Sequence, residues 1–198
     1  MRKLNDRLKK YLKKYNGKLY AEIRGYDHDA LYVGRFEAMK KYIRPEAKTV
    51  LDIGAHFGEM SLEFAEIGKK VTAVEKSTSK ISCLREYCRK HGNKFNVVHE
   101  DIFDYTQKHR DFDTVLALNI FHHFTRTEDG FKKLTVMLRR LRITDMFFLP
   151  ATTEELTEEG SVVSTKNAFV EWVMSQSGMT KKILVGTFNK RNLYYFQR

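Results

Sequence analysis

Long apolar runs are missing from this chain. No stretch of 18 or more apolar residues occurs among its 198 residues, which excludes a membrane-spanning helix on length alone. Proline is scarce, with two residues, and no glycine- or serine-rich segment appears, so nothing marks a linker between domains. Cysteine is equally scarce. Cys83 and Cys88 stand five apart in a helical pattern, a spacing that turns them to different faces and argues against a mutual disulfide. No metal-binding pattern of Cys and His accompanies them. The first fifteen residues, MRKLNDRLKKYLKKY, have no apolar signal core. The expectation is a reduced, cytoplasmic protein without a metal.

What is present describes a globular chain. Hydrophobic residues make up 42% and aromatics 13%, enough for one sizeable core, whereas the length is marginal for two. The net charge of +11 is unevenly placed. Residues 1–18 hold Arg2, Lys3, Arg7, Lys9, Lys10, Lys13, Lys14 and Lys18 against Asp6 alone, and so supply +7. Leu4, Leu8, Tyr11, Leu12 and Tyr15 recur between them at helical spacing. The pattern predicts an amphipathic helix over 2–15, ended by Asn16-Gly17. Its apolar stripe packs on the domain, or its lysines seek phosphates or a membrane surface. A second helix is expected over 33–44, stopped by Pro45. Residues 1–45 then form a basic helical segment, a lid or substrate-binding element, before the domain of residues 46–198.

From residue 49 the pattern alternates. Strands are expected at 49–53, 71–75, 95–98, 113–118 and 144–149, and helices at 58–68, 78–91 and 128–141. The link between the third and fourth strands reads as irregular or as one or two helical turns. Strands alternating with helices argue for a doubly wound, mostly parallel α/β sheet with right-handed crossovers. After a polar stretch and a helix near 166–177, MTKKILVGTF and NLYYFQR flank Asn189-Lys190-Arg191. That is a hairpin signal, adding an antiparallel edge and completing seven strands.

The stretch VLDIGAHFGEMSLEFAEIGKKVTAVEKS, residues 50–77, narrows the function. It reads strand, glycine turn, helix, strand, glutamate. The dinucleotide pattern G-x-G-x-x-G fails twice here, and no G-K-[ST] follows for a phosphate loop. A cofactor with a ribose but no pyrophosphate remains. Glu75, ending the second strand, is placed to accept from two ribose hydroxyls.

Four motifs in order across residues 50–124 resemble the class I, Rossmann-like methyltransferases that use S-adenosylmethionine. Asp52, Gly54 and Gly58 match the family's acidic-x-G-x-G-x-G, with His56 in place of the middle glycine. Glu75 matches the acidic residue of the second strand, Asp101-Ile102 the pair after the third, and LALNIFHHF the fourth-strand motif. The resemblance implies that Gly54 and its neighbours, His56 included, meet the methionine part, Glu75 the ribose and Asp101 the adenine amino group. It implies that the Ile102 backbone meets the ring, that Asn119 lines the floor near the sulfonium, and that Arg35 grips the cofactor carboxylate. The product would be S-adenosylhomocysteine. Asp52 otherwise holds the turn through backbone N–H groups, and His56 otherwise caps or packs it.

His122 and His123 follow the fourth strand, and imidazole can take a proton from an acceptor near neutral pH. The pair resembles the LHHL-type motif of enzymes methylating small molecules, lipids and sugars. Asp27, His28 and Asp29 form a second titratable cluster, read as a polar lid. The tetrad Asn119-Ile120-Phe121-His122 lacks the prolines and stacking aromatic that enzymes of exocyclic base amines carry, so adenine amine methylation is disfavoured. The expected activity is methyl transfer to a small molecule or glycan, GRFEAMKKYI resembling the entry segment of such members. An RNA acceptor gripped by the basic N-terminal helix is the alternative, and a non-catalytic binding module the third reading.

Overall fold

The computed structural model describes residues 28–152, 156, 162, 163 and 165–198, with side chains from Gly34 onward. The helix expected over 2–15 and Asp27 lie outside the described residues. Helix α1 (His28–Lys40) comes first. Then follow β1 (Thr49–Ile53), α2 (Glu59–Glu66), β2 (Lys70–Val74), α3 (Thr78–Lys90), β3 (Asn96–Val98), α4 (Ile102–Lys108) and β4 (Thr114–Leu118). A 3-10 turn (Phe121–Phe124), α5 (Glu128–Arg140), β5 (Asp145–Leu149), α6 (Lys166–Gln176), β6 (Lys181–Phe188) and β7 (Arg191–Gln197) complete the order.

One helix differs from expectation. α1 begins at His28, taking in His28 and Asp29, and stops at Lys40 rather than reaching residue 44. Past it the bonds tighten to three-residue turns, Tyr42 N–H to Met39 O and Ile43 N–H to Lys40 O. Pro45 disfavours helical backbone at Arg44, and the Arg44 guanidinium instead donates to Asp145 at 2.8 Å. The link before β4 resolves as α4, two turns capped by the Asp101 side chain, which accepts the Phe103 N–H at 2.9 Å.

The seven strands run in the order β3-β2-β1-β4-β5-β7-β6, with β7 antiparallel to both β5 and β6. Chain direction reverses its lateral progress between β1 and β4, so the topological switch point lies at their carboxyl ends. Alternate strand residues feed two cores. Leu51, Ile53, Val115, Ala117, Met146 and Phe148 face one layer with Leu134, Leu138 and Phe169. Val50, Leu116, Phe147 and Leu149 face the other with Phe36, Met39, Phe64 and Leu84. Burial of both faces is why these strands read as continuous apolar runs.

The amino ends of the strands are tied by charge. Asp113 accepts from the N–H groups of Lys48 and Thr49 and from the Thr49 hydroxyl, each at 2.8 Å. The hairpin between β6 and β7 turns on Asn189 and Lys190, with φ of 47° and 63°, while Arg191 belongs to the strand. Cys83 and Cys88 are free thiols. Among the described residues no helix is long and apolar enough to cross a membrane.

Candidate active site

The turn after β1 explains its own glycines. Gly54, His56 and Gly58 have φ of 67°, 55° and 88°, the left-handed region that favours residues without a Cβ. A Cβ on Gly54 would lie 2.7 Å from Ile120 Cδ1, and one on Gly58 2.5 Å from Leu84 Cδ1. His56 takes left-handed backbone where the family has glycine, a conformation that histidine tolerates better than most residues. Its ring stacks edge-on to Phe57 with centroids 3.8 Å apart.

Glu75 holds this turn from the neighbouring strand. Its Oε2 accepts the His56 N–H at 3.0 Å and its Oε1 accepts the Ser77 N–H at 2.8 Å. The side chain is buried, yet each carboxylate oxygen retains a second lone pair. That leaves acceptor capacity for two hydroxyl groups.

Asp52 sits behind the turn. It is buried, and among the described residues its hydrogen-bond partner is the Ser61 hydroxyl of α2, which donates at 2.6 Å. The expectation of backbone N–H donors is thus corrected: a buried carboxylate at the end of β1 faces the side chains of the helix packed over it. Burial pushes the Asp52 carboxyl up to about 6, with Ser61 opposing and the nearby Glu75 charge adding.

The remaining motif residues gather along the same sheet end. Asp101 caps α4, and its Oδ2 also pairs with the Lys76 ammonium at 2.6 Å. Ile102 is the buried first residue of α4. The Asn119 N–H extends the β4–β5 pairing by donating to Leu149 O at 2.8 Å. Its backbone is left-handed at φ 60°, and its buried Oδ1 has no hydrogen-bond partner among the described residues. An unsatisfied buried acceptor costs about 1–3 kcal/mol, and a ligand's cationic group is what this oxygen suits. Glu75 with spare lone pairs and Asn119 with an open acceptor fit a ligand carrying a ribose diol and a positive centre.

His122 and His123 lie on the 3-10 turn directly past Asn119, with ring centroids 3.9 Å apart. They differ in exposure: His122 is buried and His123 exposed. The His122 carbonyl accepts both the N–H and the hydroxyl of Thr125. Arg35 is buried on α1, a helix that packs against α2 and β6, so it is not a surface residue. No group of three His, Cys, Asp or Glu side chains among the described residues could hold a metal.

Three site neighbours escaped the sequence reading. Ser61 holds Asp52, Ile120 covers Gly54, and Lys76 pairs with Asp101. Only Ser61 left a signal, as a polar residue on the buried stripe of the apolar helix EMSLEFAE.

A family model described as a methyltransferase domain matches residues 50–141. No curated protein matches this chain. Among solved structures, the bifunctional kinase-methyltransferase WbdD superposes with a TM-score of 0.71 at 17% identity, over 96% of this chain and 46% of that one. This chain therefore spans about half the length of WbdD. The N-terminal domain of EvdMO1 with S-adenosylhomocysteine bound gives a TM-score of 0.62 at 14% identity, over 98% of this chain and 97% of that one. A structure from work on converting a disulfide bond into a thioacetal group during echinomycin biosynthesis gives 0.61 at 22%, over 83% and 81%. With the motif order, the strand order and the matched domain in agreement, residues 50–141 carry a methyltransferase domain and the chain has the fold of the class I methyltransferases.

Proposed function

We propose that the chain methylates an oxygen or nitrogen of a small molecule or glycan, with the histidine pair after β4 handling the acceptor's proton. The observation that carries this reading is the position of His122 and His123, immediately beyond Asn119 and Ile120 at the switch point. EvdMO1 was also solved with S-adenosylhomocysteine and D-fucose (TM-score 0.60, 13% identity), which supports a sugar-sized acceptor.

When bound, S-adenosylmethionine supplies an activated methyl group on a sulfonium, so the residues here need only bind, align and deprotonate. Glu75 would hold the ribose diol through its free lone pairs, and Asn119 Oδ1 would meet the positive centre. Asp101 and the Ile102 backbone stand at the adenine end, while Gly54, His56 and Gly58 shape the methionine end. Arg35 remains the candidate for the carboxylate, although its partner there must reach it through the packing of α1. His123, exposed, receives the acceptor's proton, and the buried His122 fixes the turn and backs the stacked ring.

The test is S-adenosylhomocysteine release with a panel of sugars, small phenols and amines, and RNA. Turnover on a sugar or metabolite, lost in His123→Ala but with cofactor affinity retained, is the expected result. Turnover on RNA alone, or undiminished turnover in His123→Ala and His122→Ala, would overturn the acceptor class or the base.

A further inference from the structure

A groove lies at the end of the sheet away from the switch point. It has a volume of about 300 Å³, and Lys70, Tyr105, Lys108, His109, Arg110 and Asp111 are among the residues that line it. Thr49 and Lys70 open β1 and β2, Tyr105 and Lys108 lie on α4, and His109, Arg110 and Asp111 follow it, so the groove and the switch point lie at opposite ends of the strands. We infer that this groove binds a soluble organic phosphate with a planar ring, nucleotide-like in outline, independently of the methyl-transfer site.

Charge is the first argument. Lys70, Lys108 and Arg110 bring three permanent cations to one groove, and Asp111 is its one lining carboxylate. Asp111 is already neutralised by a bidentate pair with Arg142, at 2.5 and 2.6 Å. The neighbouring Asp113 is spent on Lys48 and Thr49. Lys108 shares itself with Glu100 at 3.3 Å, whereas Lys70 is exposed and has no ion pair among the described residues. Arg110 donates from Nη2 to the Gln107 carbonyl, which uses one of five guanidinium N–H donors. Phosphate oxygens suit the rest.

Shape and rigidity are the second. Tyr105 and His109 stack with centroids 4.5 Å apart at 26°, and the exposed imidazole offers a flat surface beside the cations. Tyr105 is held on α4, and the segment after His109 is fixed by backbone bonds, Arg142 N–H to Arg110 O at 2.8 Å and Phe112 N–H to Arg142 O at 3.2 Å. A volume near the lower end of the range for ligand pockets admits one nucleotide-sized group rather than a duplex or a bilayer.

The experiment is calorimetric titration of the full chain with AMP and with pyrophosphate, S-adenosylhomocysteine being kept saturating to block its own site. The expected result is binding of both, AMP the tighter. Lys70→Glu with Arg110→Glu should weaken both by about tenfold or more, the fold-change of one lost charge-assisted hydrogen bond. Thermal unfolding and the S-adenosylhomocysteine isotherm should stay unchanged, and that isotherm separates failure of this site from failure of the methyltransferase reading. No binding of either probe overturns the inference, as does binding that the two substitutions leave intact, which would place the anion elsewhere. AMP no tighter than pyrophosphate overturns the ring. Anionic phosphatidylserine vesicles or an RNA oligomer binding in a substitution-sensitive way, without AMP, would overturn the small-ligand class.

Discussion

The Glu75 carboxylate accepts the backbone N–H of His56 at 3.0 Å, so the end of the second strand holds the turn of the first. One side chain thus holds the turn after β1 and keeps lone pairs free for hydroxyl groups. Glu75→Ala should weaken S-adenosylhomocysteine binding by about 1–3 kcal/mol, the scale of hydrogen bonds lost at a desolvated site. It should also lower the thermal midpoint, because two backbone N–H groups lose their acceptor. Titration and thermal unfolding of the same preparation check both. Unchanged affinity would remove Glu75 from the ribose.

Gly54 and Ile120 are packed with no space for a methyl group. Gly54→Ala meets Ile120 Cδ1 at 2.7 Å and must also hold φ at 67°. The expected loss is about 2–3 kcal/mol, from overpacking and left-handed backbone together. Ile120→Ala in the same chain should recover the overpacking part and leave the backbone part. A double-mutant cycle by urea unfolding reads the coupling, and strict additivity would mean the two residues do not touch.

Asp52 gives the fold a pH dependence. Its carboxyl is pushed up to about 6 in the folded chain from an ordinary value of 3.8, mainly by burial. Between those values the folded state holds a proton that the unfolded state has released. The contribution to stability is therefore complete below the unfolded value and is lost as pH rises through about 6. Asp52→Asn removes that decline, so its stability relative to the parent should climb by about 2 kcal/mol from pH 4 to pH 7. Denaturation curves at the two pH values decide it. Parallel behaviour of the two proteins would mean the buried carboxyl titrates normally.

Lys190 occupies left-handed backbone at φ 63° in the hairpin turn. Asn-Gly is the pair that such a two-residue turn favours, so Lys190→Gly should raise stability by about 0.5–1 kcal/mol. Urea midpoints measure the change. A loss would mean that the lysine side chain contributes more than its backbone strain costs.

Much of this architecture was legible in the residues themselves. The β1 strand at 49–53 came out to the residue, because a short stretch rich in β-branched and apolar residues that runs into Gly54 leaves little freedom. The glycines at 54 and 58 announced the turn after β1, and Asn189-Lys190-Arg191 announced the hairpin. Helix ends were less legible. Nothing local to residues 41–44 says that Arg44 leaves the helix to reach Asp145, 101 residues further along the chain. Likewise Asp52 reads as a turn-holding residue, but Ser61 as its partner follows only from how α2 lies on β1.

The division has a physical basis. Period, turn chemistry and motif order act over a few residues, and they determined the alternating elements, the class of cofactor and the residues at the strand ends. Side-chain partnerships across the sheet depend on which elements the crossovers bring together. Only the tertiary structure decided that Glu75 would grip His56, that Ile120 would close over Gly54, and that His122 would be buried while His123 faced water. It also decided that Lys70 of β2 and Lys108 and Arg110 at the end of α4, nearly forty residues apart, would line one groove.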